Sequence, residues 1–238
     1  MTYIEGFITP VPKDKKEAYL AHANEAQSMM KDYGVTRMVE TWANDVPDGK
    51  VTDFRKAVDA QDGEDVLFSW FEYPDKKARD AANEKMMTDP RMEEMAKSMP
   101  FDGKRMIYGG FDTIVDDKAD GSSGYVDGIV LAVPHDNKDA YKAMADKTST
   151  MFRKYGAVRV VEGWGDDVPE GKVTDFHRAV KAKEGENVVY SFIEWPDKAT
   201  RDTAWGKIME DPAMQPEGEM PFDGQRMFWG GFDPLLDK

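Results

Sequence analysis

The chain has 238 residues, no cysteine, and 46 acidic against 32 basic side chains, a formal net charge of −14. Without cysteine there are no disulfides, thiolate nucleophiles, zinc–thiolate sites or iron–sulfur clusters. A field of that sign repels nucleic acid phosphate and anionic membrane, whose binding relies on Lys and Arg. No window holds the roughly 20 apolar residues that span a bilayer, and no basic stretch leads into an apolar run near Met1. The expected compartment is the cytoplasm, and neither nucleic acid nor membrane is an expected partner.

One stretch organises the rest. Asp45-Val46-Pro47-Asp48-Gly49-Lys50-Val51-Thr52-Asp53-Phe54 returns as Asp167-Val168-Pro169-Glu170-Gly171-Lys172-Val173-Thr174-Asp175-Phe176. The offset of 122 holds from Tyr3/Tyr125 to Met92/Met214, and after the loss of one residue an offset of 121 resumes with Pro100/Pro221. Roughly half of the aligned pairs are identical, the signature of a duplicated module. The chain therefore divides into 1–115, a polar Gly/Ser-rich linker 116–124, and 125–238. Each repeat is large enough to bury a core, and a nine-residue linker reaches at most about 30 Å, which keeps the two side by side.

In chain order, 3–11 and 125–133 are apolar and β-rich, as for strands covered on both faces. Tyr19, His22, Ala26, Met29, Met30 and Tyr33 then recur three or four apart, with Tyr141, Met144, Thr148, Met151, Phe152 and Tyr155 on the same stripe of the second copy. That period predicts an amphipathic helix, ended by a left-handed glycine at Gly34 and Gly156. A second strand is predicted over 35–43 and 158–164, followed by the Pro-Asp-Gly or Pro-Glu-Gly turn. Residues 52–60 suit a short helix capped by Thr52 or a short strand. Val66 to Tyr73 and Val188 to Trp195 read as buried strands. Asp75 and Asp197 are the expected N-caps of a second helix that stops or kinks at Asp89-Pro90 and Asp211-Pro212. Met92, Met95 and Met99 predict a short helical extension in the first copy, whereas Pro216 and Gly218 predict an irregular one in the second. A last strand is expected from Arg105 to Phe111 and from Arg226 to Phe232. The order β-α-β-(short element)-β-α-β is that of a ferredoxin-like unit, so the fold class is α+β with two ferredoxin-like βαββαβ repeats. Strands apolar on both faces need helices on one side and the other repeat on the other, which predicts a pseudo-two-fold pair packed through its sheets.

Three motifs in one order carry a resemblance: Tyr-(Ile/Val)-(Glu/Asp)-Gly near the start of each copy, Asp-Val-Pro-(Asp/Glu)-Gly-Lys-Val-Thr-Asp-Phe in the middle, and Met-Pro-Phe-Asp-Gly-(Lys/Gln)-Arg-Met-x-x-Gly-Gly-Phe at the end. Each half resembles the small bacterial YbaA-like family over nearly its whole length. That family is similar in fold to the dimeric α+β barrel proteins. The resemblance implies an intramolecular dimeric α+β barrel, working as a monomeric pseudo-dimer or as a homo-oligomer, and it imports no activity.

Barrels of this kind include haem enzymes, which need an axial ligand. None of the three histidines is duplicated: His22 aligns with Met144, His135 with Lys13 and His177 with Arg55. A core position for His22 and solvated positions for the other two are the expectation, with no metal and no cofactor. Glu40 and Glu162 are the stronger candidates, each centred on a strand and sharing a face with Met38 and Trp42, or Val160 and Trp164. Desolvation there raises a carboxyl pKa toward that of a general base, with Trp42 and Trp164 as pocket walls. The structural alternative pairs the glutamates with Arg105 and Arg226, which otherwise are candidate ligand-binding groups. Arg37 and Arg159 fall on the opposite strand face and are free to hold an anion elsewhere. Ser69 and Ser191 lack a duplicated histidine to activate them, and no Gly-x-Gly-x-x-Gly or P-loop is present.

The expected function is small-molecule binding in a cleft between a sheet and its helices. The alternative is a cofactor-independent oxygenase or isomerase acting on a small aromatic or enolisable metabolite, an expectation from fold analogy. An interaction module has no specific support in the acidic surface.

Overall fold

The repeats share one order of elements, placed by the period changes described above, and the first adds a further helix, Pro90–Lys97. In the computed structural model, which describes residues 2–214 and 218–238, the first repeat forms β1 (Tyr3–Pro12), α1 (Lys16–Tyr33), β2 (Arg37–Asp45), α2 (Phe54–Ala57), β3 (Glu64–Tyr73), α3 (Lys76–Thr88), α4 (Pro90–Lys97) and β4 (Ile107–Lys118). The second forms β5 (Tyr125–Pro134), α5 (Lys138–Lys154), β6 (Arg159–Asp167), α6 (Phe176–Ala179), β7 (Glu186–Trp195), α7 (Lys198–Glu210) and β8 (Phe228–Asp237).

The strands close into one barrel in the order β1-β3-β2-β8-β5-β7-β6-β4. Every pairing is antiparallel. Each repeat contributes a β4-β1-β3-β2 type sheet whose two edges are zipped to the edges of the other: β2 to β8 and β4 to β6. Closure leaves no free edge for a further strand to pair with. The inward faces interdigitate across the pseudo-two-fold axis, with Phe68 stacked on Tyr190 at 4.4 Å and Trp70 on Phe192 at 4.1 Å between ring centroids. Gly6 and Gly128 lie directly against these rings. A Cβ on either would come within 2.7 Å of Tyr190 or Phe68, so the packing requires glycine there. The barrel interior is therefore a filled core, and a ligand has to seat outside it.

One end of the barrel is stoppered by α2 and α6. Thr52 Oγ1 donates to the Ala179 carbonyl at 2.6 Å and Thr174 Oγ1 reciprocally to that of Ala57 at 2.7 Å. Residues 52–60 thus contain a helix, and its cap is Asp53, whose side chain accepts from Lys56 N, rather than Thr52, which is spent on the opposite repeat. At the other end a buried ion network crosses the axis. Arg159 donates to Glu72 at 2.6 Å and to Asp116 at 2.8 Å, and Arg37 to Glu194 at 2.5 Å and Asp237 at 2.7 Å. Arg37 and Arg159 are consumed here, so the expectation that they are free to hold an anion is corrected.

The helices cover the outside of the sheets. The buried stripe of α1 is Tyr19, Ala23, Ala26, Met29, Met30 and Tyr33, and the helix ends at Gly34 with φ of +108°. Asp75 and Asp197 cap α3 and α7. Three boundaries differ from expectation. The last strands begin at Ile107 and Phe228, after Arg105 and Arg226, because those arginines sit in turns capped by Asp102 and Asp223. Strand β4 continues through Lys118 in pairing with β6, which takes the first residues of the expected 116–124 linker into the barrel. Met92 and Met95 lie on α4, while Met99 follows its end; in the second copy Pro212–Met214 forms a single tight turn, Gly218 has a φ of +92°, and Pro216 lies outside the described residues. No helix among the described residues is long and apolar enough to cross a membrane.

Candidate functional site

Alternation along β2 sends Val39 into the barrel and Met38, Glu40 and Trp42 outward beneath α1. Glu40 is buried, 6 % exposed. Its Oε2 accepts two hydrogen bonds, from Tyr19 Oη on α1 at 2.6 Å and from Ser69 Oγ on β3 at 2.5 Å. Burial pushes the carboxyl above its ordinary value of 4.5, and the Ser69 and Tyr19 donors hold back part of that rise. With Oε2 saturated, Oε1 is the oxygen left to meet anything outside.

What lies outside is a cleft of about 450 Å³ between the first repeat's sheet and α1, α3 and α4. Its walls are thioethers and rings, among them Met30, Met38, Met86, Met95, Phe71 and Phe101. The polar groups reaching it are Glu40, Tyr19, Ser69, Glu5, Asn83 and His22, with Thr9 and Tyr108, and no Lys or Arg lines it. That volume suits one small molecule, and a mostly apolar wall with a few convergent polar groups is the usual make-up of a ligand site.

Glu5 stands on β1 at the far side of the floor. It pairs in register with Phe71, as Met38 does from the other side. Two strand spacings across and two residues along put Glu5 and Glu40 about 12 Å apart at their Cα atoms. Glu5 accepts from Tyr73 Oη at 3.2 Å, and the Arg79 guanidinium is 3.6 Å away. Burial raises its pKa, with Arg79, Asn83 and Tyr73 acting against the rise. His22 is half-buried rather than a core residue. It lines the cleft mouth edge-on to Phe101, with ring centroids 6.2 Å apart, and burial lowers its pKa so that the neutral ring is favoured. His135 is exposed and His177 is half-buried on α6. Among the described residues no group of three or more His, Asp or Glu could hold a metal ion.

The second repeat keeps part of this arrangement. Glu162 is 8 % exposed and accepts from Tyr141 Oη at 2.7 Å. Ser191 lies opposite it in register, with its hydroxyl buried and unbonded. Burial pushes the Glu162 carboxyl up to about 7. Asp127, at the position of Glu5, is instead saturated: Arg201 Nε approaches at 2.8 Å, Trp195 Nε1 at 2.9 Å and Trp205 Nε1 at 2.8 Å.

The other residues singled out from sequence fall apart from the cleft. Trp42 and Trp164 are buried beneath Lys16 and Lys138, and Trp42 Nε1 donates to Asp65 at 2.9 Å. Neither ring is part of the wall of the first cleft. Arg105 holds Glu64 through two bonds of 2.7 Å, and Arg226 holds Glu186 at 2.5 and 2.6 Å. The alternative pairing of these arginines with Glu40 and Glu162 is thereby ruled out, because their turns put them beside the first residues of β3 and β7. Glu5, Tyr19 and Asn83 were missed. An acid kept at Glu5 and Asp127 inside an otherwise apolar strand, and a tyrosine kept at Tyr19 and Tyr141, are the signals that could have found two of them.

A profile described as "Protein of unknown function (DUF1428)" matches residues 2–103 and again 124–224. The chain belongs to the DUF1428 family. "Uncharacterized protein YbaA" of Escherichia coli K12 is 62 % identical over 117 residues, covering 49 % of this chain and 100 % of that protein. The YbaA of Shigella flexneri gives the same figures. The tandem DUF1428 chain thus carries twice the module found in those relatives. Among solved structures, a "putative monooxygenase" from Fusobacterium nucleatum superposes with a TM-score of 0.58 at 10 % identity, covering 100 % of this chain and 94 % of that one. A second, from Lactobacillus acidophilus, gives 0.56 at 9 % identity, over 99 % and 95 %. At such identity the likeness establishes the fold shared by the DUF1428 chain, an α+β barrel.

Proposed function

We propose that the first repeat binds a small, largely apolar molecule in the cleft beneath α1, α3 and α4, with Glu40 Oε1 as its polar anchor. The observation that carries this is a 450 Å³ cleft whose buried floor carboxyl has one oxygen saturated by Tyr19 and Ser69 and the other uncommitted. The closed barrel and the acidic surface support a chain working as a monomeric pseudo-dimer in the cytoplasm, without nucleic acid or membrane. A ligand-observed NMR screen of small aromatic and aliphatic fragments tests the reading. Hits that bind the wild type and are lost in Ala26→Phe, which fills the cleft from α1, support it; hits indifferent to that substitution remove it.

A second reading adds chemistry. A desolvated carboxylate removes a proton from an acidic O–H or enolisable C–H of a bound molecule, giving the protonated carboxyl and the substrate anion. That proton transfer is common to isomerisation and to cofactor-independent oxygenation, in which dioxygen is the co-substrate. The raised pKa of Glu40 and the names borne by the two similar folds favour this reading over passive binding. Glu40→Gln keeps the shape and removes the base. Turnover of an enolisable hit should fall at least a hundredfold in that variant, in line with the usual contribution of a general base; turnover unchanged would reduce the site to binding.

A further inference from the structure

The aligned positions of the two repeats show what the first cleft lacks. On α3, Asn83 faces the cleft; on α7 the same position is Trp205, whose indole is half-buried against Phe152 with ring centroids 5.5 Å apart. Its Nε1–H donates to Asp127 at 2.8 Å. Phe152 in turn occupies the position of Met30, another wall residue of the first cleft. The second repeat therefore carries, as part of its own chain, a flat aromatic ring whose edge N–H is bonded to the β5 acid. In the first repeat the equivalent acid is Glu5, with a side chain one methylene longer. Its protein partners are the Tyr73 hydroxyl at 3.2 Å, an Arg79 guanidinium at 3.6 Å and the short Asn83 amide, which leaves the space of the Trp205 ring open to the cleft.

We infer that the ligand of the first cleft is a flat aromatic molecule with an N–H donor on its edge, seated where Trp205 sits in the second repeat and donating to Glu5. This deepens the binding reading and rests on it. Size supports it, since 450 Å³ accommodates a bicyclic ring. So does the wall, because thioethers pack favourably on aromatic rings and adapt to their outline. Charge points the same way. With Glu5 and Glu40 on the floor and no Lys or Arg in the lining, the cleft rejects an anionic ligand and rewards a donor. At Asp127 the second repeat is in this sense self-liganded, so that among the described residues Glu5 is the one of the two aligned acids left to meet an external ring.

Indole and 1-methylindole differ in the donor alone, and calorimetric titration of the full chain with each tests the assignment. The expected result is one indole bound per chain, with 1-methylindole at least tenfold weaker. Glu5→Gln should weaken indole at least tenfold, and Asn83→Trp, which copies the second repeat's ring into the first, should abolish binding while circular dichroism shows the fold intact. If Asn83→Trp does not fold, the Glu5→Gln and methylindole arms decide alone. Equal affinity for the two probes, two indoles per chain, or no indole bound up to its solubility limit overturns the inference. Equal affinity that is still lost in Ala26→Phe leaves the cleft as a binding site for rings without donor recognition, whereas binding that survives Ala26→Phe removes the cleft as well.

Discussion

The first repeat's helix-to-sheet layer and the second's start from the same module and end in different states. Both bury a glutamate under a tyrosine from the long helix, Glu40 under Tyr19 and Glu162 under Tyr141. They part at the other acid. Asp127 is enclosed by two indoles and an arginine, while Glu5 opens onto a Met-walled cleft. The changes that set the two acids apart, Asn83 to Trp205, Met30 to Phe152 and Tyr73 to Trp195, all lie on the outer layer. Across the barrel the aligned ring pairs differ in type, Phe68 against Tyr190 and Trp70 against Phe192, yet stay stacked, and the ion network keeps matching partners in both repeats. A duplicated chain can let one site close because the barrel needs both repeats to stand, whereas binding needs a single open cleft.

That division predicts where a substitution is felt. The largest effects belong to the shared interior. Arg159→Ala takes from buried Glu72 its shortest partner, leaving Arg37 at 3.2 Å and the Trp70 indole at 3.1 Å, and strips Asp116 as well; it should cost roughly 3 kcal/mol by urea unfolding, with both repeats melting together. Arg37→Ala, at a position 20 % exposed against 3 % for Arg159, should cost clearly less. Two separate transitions in Arg159→Ala would break the comparison by showing that the repeats stand independently.

Next in size is the pH dependence carried by Glu162. Its folded-state pKa is raised from 4.5 to about 7, so its contribution to stability is fully present below pH 4.5 and is lost as pH rises through 7. Relative to Glu162→Gln, the wild type should lose about 3 kcal/mol across that window. Glu40→Gln should show the same sign, since the Glu40 carboxyl is also raised. A wild type that instead gains stability over pH 4.5 to 7 relative to these variants would mean that the carboxyls are paired with cations.

The closed layer is probed by Trp205→Asn, which removes a half-buried ring and one donor from Asp127 and should cost roughly 2 kcal/mol. Asn83→Trp should be close to neutral or stabilising, as it adds the ring to space that is already open. A costly Asn83→Trp would show that the two layers differ in shape as well as in occupancy. Smaller again, Tyr19→Phe removes one of two donors to Glu40 and should cost about 1–2 kcal/mol while raising the Glu40 pKa further.

Much of the fold was legible in the sequence because the repeat doubles every signal. Glycine stops at Gly34 and Gly156, aspartate caps at Asp75 and Asp197, and alternation over 66–73 and 188–195 are local rules acting twice. The expectation failed where a side chain is claimed by a distant partner. Thr52 looked like a cap and serves Ala179 of the other repeat; Arg105 looked like a strand residue and is held in a turn by Asp102 and Glu64. For the site, alternation along β2 was enough to place Glu40 and Glu162 inward of the helices. It could not place Glu5 or Asn83, because only the β1-β3-β2 pairing and the crossing of α3 over the sheet bring them to one cleft. His22 was misread as core for the same reason. Its stripe position is right, but α4 and Phe101 leave space beside it.

The claim on which the site stands is that Glu40 is a desolvated carboxyl of raised pKa facing open space. Carbon-detected NMR titration of the glutamate side chains, with Glu40→Gln and Glu162→Gln to assign the two resonances, measures it directly. The account predicts that both titrate above 4.5, Glu162 near 7. Midpoints at or below 4.5 for both groups would contradict it and leave the cleft without its poised carboxyl.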